Sequence, residues 1–200
     1  MLADILAERC IALYFNRINP IVCVMRRRMV GGGMYIPFIS RVRTKAYKVA
    51  TRLRIWYLRS LWGMDIGDNT RISSKARLDP MHPRGVHIGA WTLISFDAAI
   101  LTHDFVGERM LDTYIGSHCF IGARAIVMPG VRVGDHCVIG AGAIVTSDIP
   151  PHSIAVGVPA QVVRSDVETG SWGIIDPTYI AREKAWQAAG NSGAPPPVWG

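Results

Sequence analysis

Six histidines stand in this chain of 200 residues, at 82, 87, 103, 118, 136 and 152. A neutral imidazole can take a proton from a hydroxyl near physiological pH, so each is a candidate general base. His103 is set apart by its position. It lies in Ile100-Leu101-Thr102-His103-Asp104, at the mouth of a stretch where the surrounding pattern breaks. Carboxylates stand near it in sequence at Asp97 and Asp104. His118 and His136 are 18 residues apart at equivalent pattern positions and read as a solvated stack on an outer corner. His82, His87 and His152 sit among turn-forming residues.

The elements that must position these groups repeat every six residues. From Ile115 to Pro150 the chain reads as six hexads, each opening on Ile or Val, with Gly second in four and a small or aliphatic residue fifth in all. Such a period fits neither a helix nor an alternating strand, and it marks a hexapeptide β-helix. Each hexad supplies one short strand and one corner, and three make a triangular coil. The first and fifth side chains point inward. Gly at the second position suits a corner too tight for a side chain. Earlier hexads open at Ile66, Ile72 and Leu78, then at Ile88, Ile94 and Ile100. The register slips at residues 80–85 and again at 106–114, each time after a third hexad, so both insertions leave from one corner. The expected fold is mainly β: a left-handed parallel β-helix of four to five coils, with N-terminal helices and a C-terminal capping helix.

The division expected is a basic helical arm over residues 1–62, a β-helix over 63–164, and a helix with a tail over 165–200. Residues 1–60 carry twelve Lys/Arg against two acids, whereas the remainder carries ten against thirteen. The basicity therefore belongs to the arm, and it points to an anionic partner. Helices are expected over 2–16 and 41–62. In the second, Arg41, Lys45, Lys48, Arg52 and Arg59 share one sector, and Val42, Ala46, Val49, Leu53 and Tyr57 an adjacent one. Trp56 and Trp62 add amphipathic rings. Two readings stand: a helix lying on an anionic bilayer, or one packed on its own β-helix or a neighbouring subunit. Asp176-Pro177 followed by residues 178–189 and Gly190 reads as the last helix, with Asp as N-cap. Four cysteines are too few for a disulfide framework, and Cys119 and Cys137 are expected to stack in the core. Asp4 and Glu8 argue against a secretory leader, and no 18-residue apolar run is present, so a cytoplasmic location is expected, at the inner membrane face if the arm binds it.

The hexads, the phrase Ile100-Leu101-Thr102-His103-Asp104 before an insertion, and the ending Gly157-Val158-Pro159-Ala160-Gln161-Val162-Val163-Arg164 together resemble the hexapeptide-repeat acyltransferases. Within that group the likeness is greatest to the colanic-acid type of surface-polysaccharide sugar O-acetyltransferases. It covers about residues 64–164 and leaves 1–60 unexplained. It implies an acetyl-CoA-dependent O-acetyltransferase acting on a sugar or lipid-linked glycan. It also implies a homotrimer with acetyl-CoA between neighbouring β-helices, His103 as base, and no metal. Asp97 stands where serine acetyltransferases carry an orienting carboxylate and sugar acetyltransferases often carry Asn. Either Asp97 or Asp104 would orient the ring, and either would bind acceptor. For CoA the resemblance points to Ala123, Ala141, Thr146, Ser147 and Arg164. Two departures matter. Some relatives carry Ser where Ala123 stands, so a backbone N–H must serve the oxyanion here, and a Lys is common where Ser147 stands.

Two other classes compete. The γ-type carbonic anhydrases share the fold and need three histidine ligands, two of them five apart, as His82 and His87 are. A non-enzymatic scaffold with a membrane-binding arm is the other. No nucleic-acid motif is present.

Overall fold

The computed structural model describes residues 49–191. The helix expected over 2–16 and the first part of that expected over 41–62 lie outside this range.

Each expected hexad ends a two- or three-residue strand on its first residue. The first coil holds β1 (Asp65–Ile66), β2 (Arg71–Ile72) and β3 (Arg77–Leu78), and the second β4 (Val86–Ile88), β5 (Leu93–Ile94) and β6 (Ala99–Ile100). The second break carries a hairpin of β7 (His103–Asp104) and β8 (Arg109–Met110). Then come β9 (Thr113–Ile115), β10 (Phe120–Ile121) and β11 (Ile126–Val127), followed by β12 (Arg132–Val133), β13 (Val138–Ile139) and β14 (Ile144–Val145). Equivalent strands pair in parallel, so Ile66, Ile88, Ile115 and Val133 form one ladder. Leu78, Ile100, Val127 and Val145 form another. Three sheets thus wall a triangular prism, a left-handed parallel β-helix. A fifth coil begins with Ile149 bridging to Val133 and with β15 (Ile154–Gly157) on β13, and it closes as an antiparallel hairpin with β16 (Ala160–Arg164).

The hexad chemistry explains the prism. First-position Ile94, Ile100, Ile121, Val127, Ile139 and Val145 are buried in the core. Fifth positions hold small groups, and along one edge these are donors. Thr70 and Thr92 donate through Oγ1 to the carbonyls of Gly89 and Gly116, each at 2.7 Å. Cys119 and Cys137 donate through Sγ to Gly134 and Pro150, each at 3.1 Å. The cysteines are free, buried and stacked, as expected. At seven corners a non-glycine fourth residue takes positive φ: Asn69, Trp91, Asp97, His118, Arg124, His136 and His152.

Helix α1 spans residues 49–60. It lies across the first coil. Leu58 joins the prism core, Ile55 and Trp62 pack on it, the Arg54 guanidinium donates to the carbonyls of Ser73 and Ala76, and Arg59 pairs with Asp68 at 3.0 Å. Helix α2 spans Pro177–Ala188, with Asp176 as N-cap accepting from Thr178 N–H at 2.8 Å. It packs on the segment before it rather than on the prism core: its buried Glu183 accepts from Ser171 N–H at 2.9 Å and from the Ser171 hydroxyl. That segment is clipped to a corner of the prism, with Trp172 Nε1 donating to Asn69 at 2.8 Å.

The histidine corner is only partly solvated. His118, His136 and His152 stack with centroids 4.9 Å apart; the segment leading to α2 leaves His118 and His136 half-buried and His152 exposed. His136 Nδ1 meets the Thr169 carbonyl at 2.9 Å, His152 Nδ1 meets that of Val167 at 3.1 Å, and Thr169 Oγ1 donates to the His118 carbonyl at 2.7 Å. The covering segment could not be read from hexad spacing, because it returns from beyond the repeat. Burial, and then the neighbouring His136, lower the His118 pKa. A charged form disfavoured by folding means stability that is present above the ordinary histidine value near 6.5 and declines as pH falls through it. The melting temperature should therefore be lower at pH 5.5 than at 7.5, and His118→Asn, which tolerates the positive φ, should flatten that dependence. An unchanged dependence in the variant would assign the effect elsewhere.

Candidate active site

The two breaks in the repeat converge on one corner. Because Leu78 pairs with Ile100, Asp79 lies beneath Leu101, and its N–H donates to the Ile100 carbonyl at 3.1 Å. The Asp79 carboxylate is fully buried. Its Oδ2 accepts from Thr102 N–H at 2.8 Å, from His103 N–H at 3.1 Å, and lies 2.5 Å from the His103 ring Nδ1; its Oδ1 accepts from Met81 N–H at 2.9 Å. Burial alone would raise its pKa. The bonds from Thr102, the His103 ring, Met81 and His103 outweigh burial and hold it at about 2. Asp79 is thus an anion at neutral pH. An anion beside Nδ1 requires a proton there, so the neutral ring presents Nε2 as an acceptor. The side chain keeps about 30% of its surface open, so that nitrogen is reachable.

The corner is braced from both sides. Thr102 Oγ1 donates to the His82 carbonyl at 2.8 Å, Leu111 N–H to the Thr102 carbonyl at 2.8 Å, and Thr113 Oγ1 to the Leu101 carbonyl at 2.6 Å. The hairpin β7–β8 then pairs His103 with Met110.

The carboxylate at the ring is Asp79, not Asp97 or Asp104. Asp97 lies six residues back along the same coil and so occupies another corner of the triangle, where it faces Arg124 Nε at 3.9 Å. Asp104 closes the hairpin turn, accepting from Gly107 N–H and from Arg109 Nη2, each at 3.0 Å; these bonds hold its pKa below the usual range. The signal for Asp79 was in the register, since Leu78 and Ile100 both open third hexads.

Of the residues assigned to CoA, Ala123 and Ala141 stack on the corner that Asp97 occupies, linked by Gly142 N–H donating to the Ala123 carbonyl at 2.8 Å. Thr146 and Ser147 are exposed on the corner above His103, following β14. These two edges flank the face made by β3, β6, β11 and β14. Arg164 stands apart at the end of β16, in a groove of about 380 Å³ shared with Lys184. His82 Nε2 meets Asp112 Oδ1 at 3.1 Å and His87 Nδ1 meets Asp65 Oδ2 at 3.2 Å. Among the described residues no group of three His, Cys, Asp or Glu side chains is placed to hold a metal ion.

Residues 113–147 match the family model described as "Hexapeptide repeat of succinyl-transferase". The chain is 27% identical over 106 residues to a Bacillus subtilis (strain 168) protein named "Putative acetyltransferase YvoF", a match over 49% of this chain and 62% of that protein. The chain thus spans about three fifths of the curated relative it matches. Among solved structures it is similar to a maltose O-acetyltransferase from Clostridium difficile 630, at 25% identity and a TM-score of 0.39 over 50% of this chain and 68% of that one. It is also similar to a hexapeptide-repeat-containing acetyltransferase from Vibrio cholerae O1 biovar eltor complexed with acetyl coenzyme A, at 27% identity and a TM-score of 0.43 over 50% and 58%.

Proposed function

We propose that this protein is an acetyl-CoA-dependent O-acetyltransferase acting on a sugar hydroxyl in the making of a surface polysaccharide. The observation that carries the reading is the Asp79–His103 pair at the one corner where both breaks in the repeat meet. His103 Nε2 takes the hydroxyl proton as the oxygen attacks the thioester carbonyl. The carbon–sulfur bond then breaks, and the imidazolium returns its proton to the departing thiolate, leaving an acetyl ester and free CoA. Asp79 keeps the tautomer and stabilises the transient imidazolium.

Ala123 and Ala141 leave room for the pantetheine arm along their edge, with backbone N–H at Ala123 serving the oxyanion. Thr146, Ser147 and Arg164 contact the rest of CoA, the last through a phosphate. Asp97 and Asp104 contact acceptor hydroxyls. The active form is a homotrimer, with each site shared by two subunits. The acceptor is a glycan precursor at the inner membrane face. A CoA-release assay across sugars, sugar nucleotides and lipid-linked glycans, run with light scattering, tests this. Release should depend on a glycan acceptor and run with the mass of a trimer. Absence of release with every acceptor would sink the activity, and a fully active monomer would sink the shared site.

A further inference from the structure

Helix α1 has two apolar faces, and the prism uses only one. Leu58 and Ile55 point into the first coil. At 100° per residue, Val49, Leu53 and Trp56 lie on the opposite side of the same helix, with Tyr57 on its flank and Leu61 just past its end. All five are exposed, with Leu53 and Trp56 each at 61% and Leu61 at 67%. Arg52 is exposed on the flank of this outer face. A helix packed by one face on a core presents a polar face outward; an outer face this apolar marks an interaction surface. Arg54 and Arg59 are held by the prism, but the ten other basic residues against two acids within residues 1–60 say what kind of partner it fits.

We propose that the outer face of α1 seats the protein on an anionic lipid bilayer, with Val49, Leu53 and Trp56 entering the headgroup boundary and the arm's basic residues engaging anionic headgroups. Only the siting of the acceptor at a membrane rests on the function proposed above; lipid binding itself requires no catalysis. The geometry adds an orientation. Because α1 lies across the end of the prism, its outer face looks along the prism axis, and the β-helix stands upright on the lipid. One helix diameter and one or two strand spacings then put His103 about 15–20 Å above the surface. An acceptor reaching that height carries its sugar on an extended lipid-linked chain rather than directly on the headgroup. Among the described residues no helix is long and apolar enough to cross the membrane.

The test is sedimentation of the full-length protein with vesicles of phosphatidylcholine alone or mixed with phosphatidylglycerol, at low and high salt. The protein should bind the mixed vesicles at low salt and leave them at high salt. Leu53→Ser with Trp56→Ser should weaken binding at least tenfold while CoA release with a soluble sugar acceptor continues. Replacing Arg41, Lys45, Lys48 and Arg52 with Gln should remove the preference for phosphatidylglycerol. In mixed vesicles containing brominated lipid, Trp56→Phe should reduce fluorescence quenching. Failure of the intact protein to bind, or undiminished binding by the Leu53/Trp56 variant, would overturn the proposal. So would a change in that variant's oligomeric mass without loss of lipid binding, which would assign the face to a second copy of the chain. Lipid binding in a protein that releases no CoA would keep this proposal and discard the activity.

Discussion

His103→Ala should lower the turnover number for acetyl transfer by about a hundredfold to ten-thousandfold, the range for loss of a positioned general base. The acetyl-CoA affinity should change little, because the ring lies on a different corner from Ala123 and Ala141. Folding should survive as well. The imidazole is partly open to solvent, and its removal leaves Asp79 three backbone donors, from Thr102, His103 and Met81. The lost bond is worth roughly 1.5–3 kcal/mol as a hydrogen bond to a charged group. The measurement is steady-state CoA release alongside circular dichroism and CoA binding. A folded variant turning over within a few-fold of wild type would remove His103 from the chemistry.

Asp79→Asn should damage both activity and stability, which separates it from the previous change. The amide keeps the shape of the carboxylate but replaces one acceptor oxygen with a donor. The two backbone donors at the Oδ2 place hold the amide oxygen there, facing Nδ1, and set the NH2 against Met81 N–H, so the ring keeps its tautomer but loses the anion that stabilises the imidazolium formed as the hydroxyl proton is taken. A fall of at least a hundredfold in turnover is expected. Stability follows from linkage. The folded-state value of about 2 lies below the ordinary 3.8, so Asp79 stabilises the fold above about pH 4, and that contribution is lost as pH falls through 2. The difference is at most about 2–3 kcal/mol. The variant should lose stability of this order at pH 7 and lose progressively less, relative to wild type, below pH 4. Denaturant melts across pH check this. A variant equal to wild type in both turnover and melting would show that the buried carboxylate does neither task.

The prism was legible because its rule is strict. An aliphatic residue opening each hexad, and a small or aliphatic one fifth from Ile115 to Pro150, can satisfy one geometry only, so even the strand ladders followed from counting. His103 was legible for the same reason, as the residue standing where the count failed. Its partner was not, because Asp97 and Asp104 are near in sequence, whereas Asp79 is near through coil stacking across the first break. The same stacking, applied to Leu78 and Ile100, would have placed it. The partial covering of His118 and His136 was less accessible still. It depends on Thr169 and Val167, which follow no repeat. The outer face of α1 was half visible: Val49, Leu53 and Tyr57 formed an apolar sector in sequence, but only the contacts of Leu58 and Arg54 show which side the prism occupies.

The second-position glycines bear on how such a chain can change over generations. A side-chain carbon added to Gly89, Gly116, Gly122 or Gly134 would stand only 2.5–2.6 Å from a backbone nitrogen of the coil above. Losing or gaining one residue within 115–150 would move every later glycine off its corner and set a bulkier residue against that backbone. Length is therefore inherited in quanta. A lineage can duplicate or discard a whole coil of eighteen residues, or vary the excursions at 80–87 and 104–112. Those excursions are where the repeat makes no demand and where the neighbours of His103 are chosen. New acceptor preferences can arise there by insertion and deletion, while the prism between them records change almost entirely as substitution.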